Sequence, residues 1–153
     1  WQKRTEWEEK DTDEAIRIFE KEFKRGAVLS TIMWFREGSS KKKYLIVLNN
    51  QPADSETLLF MTTSKTDFFL KHPHIIDHIK IEANTLPIFP LLTIIDCRQV
   101  YYIRRAELKA KFQSGILSFD GVLSIEIMEK IDQIVAESRL ISPRDRILIL
   151  GWQ

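Results

Sequence analysis

The sequence predicts a mainly β protein: a small β-barrel preceded by one α-helix and followed by another, amphipathic one. Three observations carry that expectation. Short runs rich in β-branched and aromatic residues follow one another ("AVLSTIMWF", "YLIVLN", "TLLFMTT", "HIKIE", "LLTIID", "QVYYI"), a composition that suits a pleated, half-buried surface. The breaks between them, such as "REGSSKKK" and "NQPADSE", are polar and short, which suits hairpin turns rather than helical crossovers. Both flanks instead repeat their apolar residues at helical spacing. Strands linked this way curl into a barrel of about six to seven strands.

The elements follow in order. In "DTDEAIRIFEKEFKRG" Asp11 is placed to cap a helix, Glu14 completes a capping box, and Gly26 stops it. Ile16, Phe19 and Phe23 fall at i, i+3 and i+7, one narrow apolar face for docking on the barrel or on a partner. The continuous run "YLIVLN" is expected to be buried on both faces. "HIKIE" alternates, with Ile79 and Ile81 on one face and His78, Lys80 and Glu82 on the other. "RRAELKAKFQS" reads as a short helix or turn. Ser124 can cap the closing helix, with Leu123 stapled to Met128 and a stripe of Ile127, Ile131, Ile134 and Val135 facing the barrel. In the tail, the apolar run at residues 147–150 is expected to add an edge strand or an oligomer contact. One domain is expected, divided into a helical extension (1–25), the barrel with its closing helix (26–138) and a tail (139–153).

Composition narrows the function. A chain of 153 residues can bury a core without disulfide or metal staples. With 23 basic against 22 acidic residues the formal charge is +1, so any anion site must be local. Cys97 is the only cysteine, which argues against a disulfide framework and for a reducing, cytoplasmic setting. No apolar run is long enough to span a membrane. Neither a G-x-x-x-x-G-K-[ST] nor a G-x-G-x-x-G pattern occurs, so no nucleotide cofactor is expected.

Several residues invite a chemical reading. His72, His74 and His78 crowd together in "HPHIIDH", but zinc needs further ligands and Pro73 interrupts the spacing, so no metal is expected. Arg98 beside Cys97 is placed to activate a thiol, yet no nucleophile motif surrounds it, and a buried structural cysteine is the better reading. Tyr101 and Tyr102 are candidates for stacking on bases. Trp34 is expected in the core, Trp1 and Trp7 at an interface. The lysine run is more pointed. An antiparallel hairpin of "YLIVLN" and "LLFMTT" brings Lys43 near Thr63 and Ser64, with Lys41, Lys42 and Lys65 around them. Cations beside hydroxyls suit a phosphodiester; the alternative is a set of solvated lysines that guard a strand end against aggregation.

With these residues in view, the chain resembles the MazF/PemK/Kid toxins, small endoribonucleases of bacterial toxin–antitoxin pairs. The likeness covers about residues 24–138 and rests on order and spacing. "KRGAVLSTIMWF" stands where the family opens with K-R-G-D-[IV] and its first strand. "REGSSKKKYLIVLNN" stands where it has a G-x-E-x-x-x-R-P loop and second strand, and "LLFMTTSK" where it has P-[IL]-T-S. "DHIKIE", "LLTIIDCRQVYYIRRAEL" and "GILSFDGVLSIEIMEKIDQIVAES" match the later strands and the closing helix. The resemblance implies an SH3-like barrel, a homodimer and a cognate antitoxin. It also implies metal-independent cleavage of single-stranded RNA by attack of the 2′-hydroxyl, leaving a 2′,3′-cyclic phosphate. The family's catalytic Arg and Thr fall on Lys43 and Thr63; Arg36, Lys41, Lys42, Ser64, Lys65 and Arg98 would contact the RNA, with Arg36 or Arg98 standing in for the missing Arg. Lys43 for Arg and Tyr44 for the following Pro are departures, and Lys lacks the planar fork of a guanidinium. The alternatives are a non-catalytic RNA- or protein-binding module on the same barrel, and a toxin aimed at a protein such as DNA gyrase.

Overall fold

The computed structural model describes residues 2–34 and 38–151, with side chains from residue 12 onward except Trp34. The expectations for Trp1, the Trp7 and Trp34 side chains, and Arg36 lie outside the described residues.

Six strands form one antiparallel sheet that curls into a half-barrel. They are β1 (Ala27–Trp34), β2 (Ser40–Val47), β3 (Glu56–Thr63), β4 (His78–Ile81), β5 (Thr93–Arg104) and β6 (Leu117–Val122), in the spatial order β4-β5-β3-β2-β1-β6. Five helices accompany them: α1 (Gln2–Glu22), α2 (Asp67–Lys71), α3 (Arg105–Gln113), α4 (Ile125–Glu137) and α5 (Pro143–Leu150). Helix is thus more abundant than the sequence led one to expect.

Strand alternation sorts the apolar residues into two cores. Leu29, Leu45, Val47 and Leu59 face Phe19 of α1, Phe23 just after it and Leu108 of α3. Val28, Ile46, Phe60 and Ile95 face Ile131 and Val135 of α4 and Ile149 of α5. Because helices cover both sides, "YLIVLN" alternates between two cores rather than between core and water. Phe19 is fully buried and stacks on Phe23 at 4.8 Å. Arg105 locks the α1–α3 seam, with its guanidinium 5.2 Å from the Phe19 ring and 5.3 Å from that of Phe23, and it pairs with Glu20.

The structure corrects three expectations. Helix α1 begins at Gln2, so Asp11 lies inside it instead of capping it; the preceding Glu, Lys, Arg and Gln residues are good helix formers with no Gly or Pro among them. "LLTIID" and "QVYYI" belong to one strand, β5, in which residues 97–100 stand opposite Phe60 alone, between the pairs Met61↔Asp96 and Leu59↔Tyr101. Such an insertion bends a strand and helps the sheet curl. The tail is no edge strand but α5. Ser142 accepts from the Asp145 N–H, Pro143 occupies the first turn, and Gly151 closes the helix at φ +78, as helix ends favour. The edges of the sheet are β4 and β6.

Other elements agree with the sequence. Ser124 caps α4 by accepting from the Ile127 N–H, and Leu123 and Met128 pack into the same core. Ile79 and Ile81 are buried, and Lys80 is exposed. "RAELKAKFQ" is helical as α3.

Candidate functional site

The β2–β3 ladder pairs Val47↔Leu59, Ile46↔Phe60 and Leu45↔Met61, and there it ends. Beyond that pair β2 stays with β1, where Thr31 partners Lys43. Strand β3 stays with β5, where Thr63 partners Ile94. The two strands therefore part, and the sequence shows why. Apolar "LIVL" zips against apolar "LLFM", whereas lysines beside threonines have nothing to gain from being sealed away from water.

A cavity of about 230 Å³ opens in the split. Lys42, Lys43 and Tyr44 form one lip, and Thr62, Thr63 and Ser64 form the other. The third wall comes from the segment between β4 and β5, at Ile88, Phe89, Pro90 and Leu91, with Thr93 at its base. Two ammonium groups supply all the formal charge among these lining residues.

Local contacts fix the polar groups. The Thr63 hydroxyl accepts from the Lys65 N–H at 3.1 Å, which sets the turn after β3 and leaves the hydroxyl its own hydrogen to donate. Lys42 Nζ lies 5.6 Å from the centre of the Tyr44 ring, and that ring meets Phe89 edge-on at 5.4 Å. The arrangement suits an anion: Lys42 and Lys43 line the opening together with the hydroxyl-bearing Thr62, Thr63 and Ser64, and among the described residues no carboxylate lines it.

The structure thus gathers Lys42, Lys43, Thr63 and Ser64, as the hairpin argument expected. Lys65 reaches the group through its backbone. Lys41 lies further along β2, opposite Met33 and exposed, and does not line the cavity. Arg98 is not brought there either. Its guanidinium donates to Asp96 at 2.9 and 2.8 Å and rests over the rings of Phe68 and Phe69 at 4.8 and 5.0 Å. Arg98 is therefore not positioned to replace the missing Arg.

Two residues at the cavity were not picked out from the sequence as site residues although they lie beside ones that were: Tyr44 and Thr62. Thr93 and the residues 88–91 wall carried no signal of their own, since that segment has no strand or helix period.

The remaining chemical candidates fare as follows. Cys97 is fully buried, and burial, followed by the charges of Asp96 and Asp77, pushes its thiol up, the opposite of an activated nucleophile. The His72 ring stacks on Phe68 at 4.5 Å, and its Nδ1 lies 2.7 Å from the Phe68 carbonyl. His78 packs against Phe69 at 4.8 Å. Among the described residues no group of three or more His, Cys, Asp or Glu side chains is placed to hold a metal, and no helix is long and apolar enough to cross a membrane.

No protein-family model matches this chain, and no curated protein matches it.

Proposed function

We propose that the cleft between β2 and β3 holds the phosphodiester of single-stranded RNA and that the protein is a metal-independent endoribonuclease of the toxin type. The observation that carries this reading is the parting of the two strands, which sets Lys42 and Lys43 across from Thr63 and Ser64. In the reaction the 2′-oxygen bonds to phosphorus and the phosphorus–O5′ bond breaks. A proton leaves the 2′-hydroxyl and one is taken up by O5′, giving a 2′,3′-cyclic phosphate and a 5′-hydroxyl. Lys43 stabilises the charge that builds on the phosphoryl oxygens, and Thr63 orients them by hydrogen bonding. Removing one such stabiliser typically costs about 10²–10³ in rate. A cognate antitoxin would act by covering this cleft, and a homodimer would present two of them.

A second reading is favoured by one feature: among the described residues no His, Asp or Glu lines the cavity, so none of these supplies the usual acid–base groups. On that reading the cleft binds RNA without cutting it. Salt dependence of binding to a single-stranded RNA tests the part that both readings share. Affinity should fall with salt on a log–log plot, and Lys42→Ala and Lys43→Ala should each flatten the slope by about 0.7. A slope unchanged by either substitution would remove RNA from the cleft and leave a protein target as the working alternative.

A further inference from the structure

The apolar half of the cavity takes no part in phosphate chemistry, yet it is firmly built. Residues 82–92 fold on themselves: the Thr85 N–H bonds the Glu82 carbonyl, the Phe89 N–H bonds that of Leu86, and the Asn84 N–H bonds that of Phe89, at 3.2, 3.0 and 3.2 Å. Asn84 makes the turn at φ +62, a conformation Asn tolerates better than most residues. Phe89 is buried in the core. Ile88 crosses to β6 and packs on Gly121, where an added Cβ would lie 2.5 Å from Ile88 Cδ1. The Thr93 hydroxyl donates to the Leu91 carbonyl at 3.0 Å. Held on both sides, the segment leaves Leu91 67% exposed at the rim.

A large aliphatic side chain exposed at the rim of a cavity that two lysines also line serves neither core of this fold. Across from it stands Tyr44, half-buried, with its ring braced by Phe89. The cavity thus combines cationic and hydroxyl-bearing residues with an aromatic and aliphatic wall, Tyr44 standing next to Lys42 and Lys43 on β2. Its volume of about 230 Å³ lies below the roughly 300–1,000 Å³ of pockets for drug-sized ligands. That is room for about one ring system.

We infer that the Tyr44–Phe89–Leu91 half of the cavity is a slot for a single nucleobase, belonging to the nucleotide whose 3′-phosphate lies at Lys42, Lys43 and Thr63. The inference rests on the phosphodiester reading of the cleft. It gives the protein a preference at one position, set by stacking and ring size. Side-chain hydroxyls of Tyr44, Thr62 and Thr93 line the cavity for hydrogen-bond reading of the base, and that of Thr93 already donates to Leu91.

The test is calorimetric binding of adenosine 3′-monophosphate, uridine 3′-monophosphate, ribose 5-phosphate and adenosine to the full chain and to Leu91→Gln and Lys43→Ala. Leu91 is exposed, so its replacement leaves the fold intact. At least one nucleotide should bind roughly tenfold or more tighter than ribose 5-phosphate, the scale of one base stacked on an aromatic. Leu91→Gln should remove most of that excess and leave ribose 5-phosphate unchanged, while Lys43→Ala should weaken every phosphate. Nucleotides that bind no better than ribose 5-phosphate would overturn the slot and leave the phosphate reading standing, as would an excess indifferent to Leu91→Gln. Adenosine binding as tightly as its monophosphate would keep the slot and overturn the phosphate reading. Binding of none of the four would overturn both.

Discussion

The hydroxyl of Tyr102 on β5 donates a hydrogen bond to the buried carboxylate of Asp145 on α5. This contact ties the last helix to the sheet. The hydrogen bond, and then burial, push the ionisation of Tyr102 up to about 12, above the ordinary value of about 10. A proton held more tightly in the folded chain stabilises it fully below the unfolded value and is lost as pH rises through the folded one. The stability advantage of the native chain over Tyr102→Phe should therefore be constant up to about pH 10 and shrink towards about pH 12. Urea midpoints of both proteins across that range check this; an advantage that does not change with pH would contradict it. Near neutral pH the substitution leaves a buried carboxylate short of a donor, at a cost of about 1–3 kcal/mol.

Helix α1 docks on its own sheet through Phe19. Truncating a fully buried aromatic typically costs about 3–5 kcal/mol, so Phe19→Ala should lower unfolding stability by that amount. Ile18, its neighbour on the same helix, is 42% exposed, and Ile18→Ala should stay within about 0.5 kcal/mol. Denaturant unfolding of the two variants decides. Near-equal, small effects would mean that α1 does not hold to the sheet in solution.

Gly121 governs the cavity from a distance. It adopts φ +156 and receives Ile88 in the space a Cβ would fill. Gly121→Ala combines backbone strain with displacement of Ile88, and should destabilise the protein by about 1–3 kcal/mol. Because Ile88 belongs to the segment that walls the cavity, the same variant should weaken ligand binding even though Gly121 does not line it. Thermal unfolding and nucleotide binding, measured together, check both effects; unchanged binding would show that the wall does not depend on this contact.

Much of the site was legible because antiparallel pairing is arithmetic. Once "YLIVLN" and "LLFMTT" are taken as a hairpin, Lys43 must come near Thr63. Leu91 and Phe89 were not legible, because they reach the cavity through the pairing of β4 with β5, Thr93 opposite Ile81, and not through any local period. Arg98 was read as an RNA contact and a stand-in for the missing Arg although the warning stood two residues away: on a strand Asp96 and Arg98 share a face, and they pair at 2.8 Å. The α5 helix was hidden by its run of Ile and Leu, which favours neither helix nor strand when short. Its capping signals, Ser142–Pro143 at the start and Gly151 at the end, were in the sequence and outweigh that run. The curl of the sheet was expected in kind, but the long bent strand β5 was not, because nothing in "DCRQV" announces an insertion.

The most direct test of the central claim is cleavage of a long unstructured RNA with EDTA present, comparing the native chain with Thr63→Ala and Lys43→Ala. Fragments ending in 2′,3′-cyclic phosphate, with the rate reduced by about 10²–10³ in either variant, are the predicted result. Intact RNA after prolonged incubation at high protein concentration would contradict it, and the cleft would then stand as a binding site without chemistry.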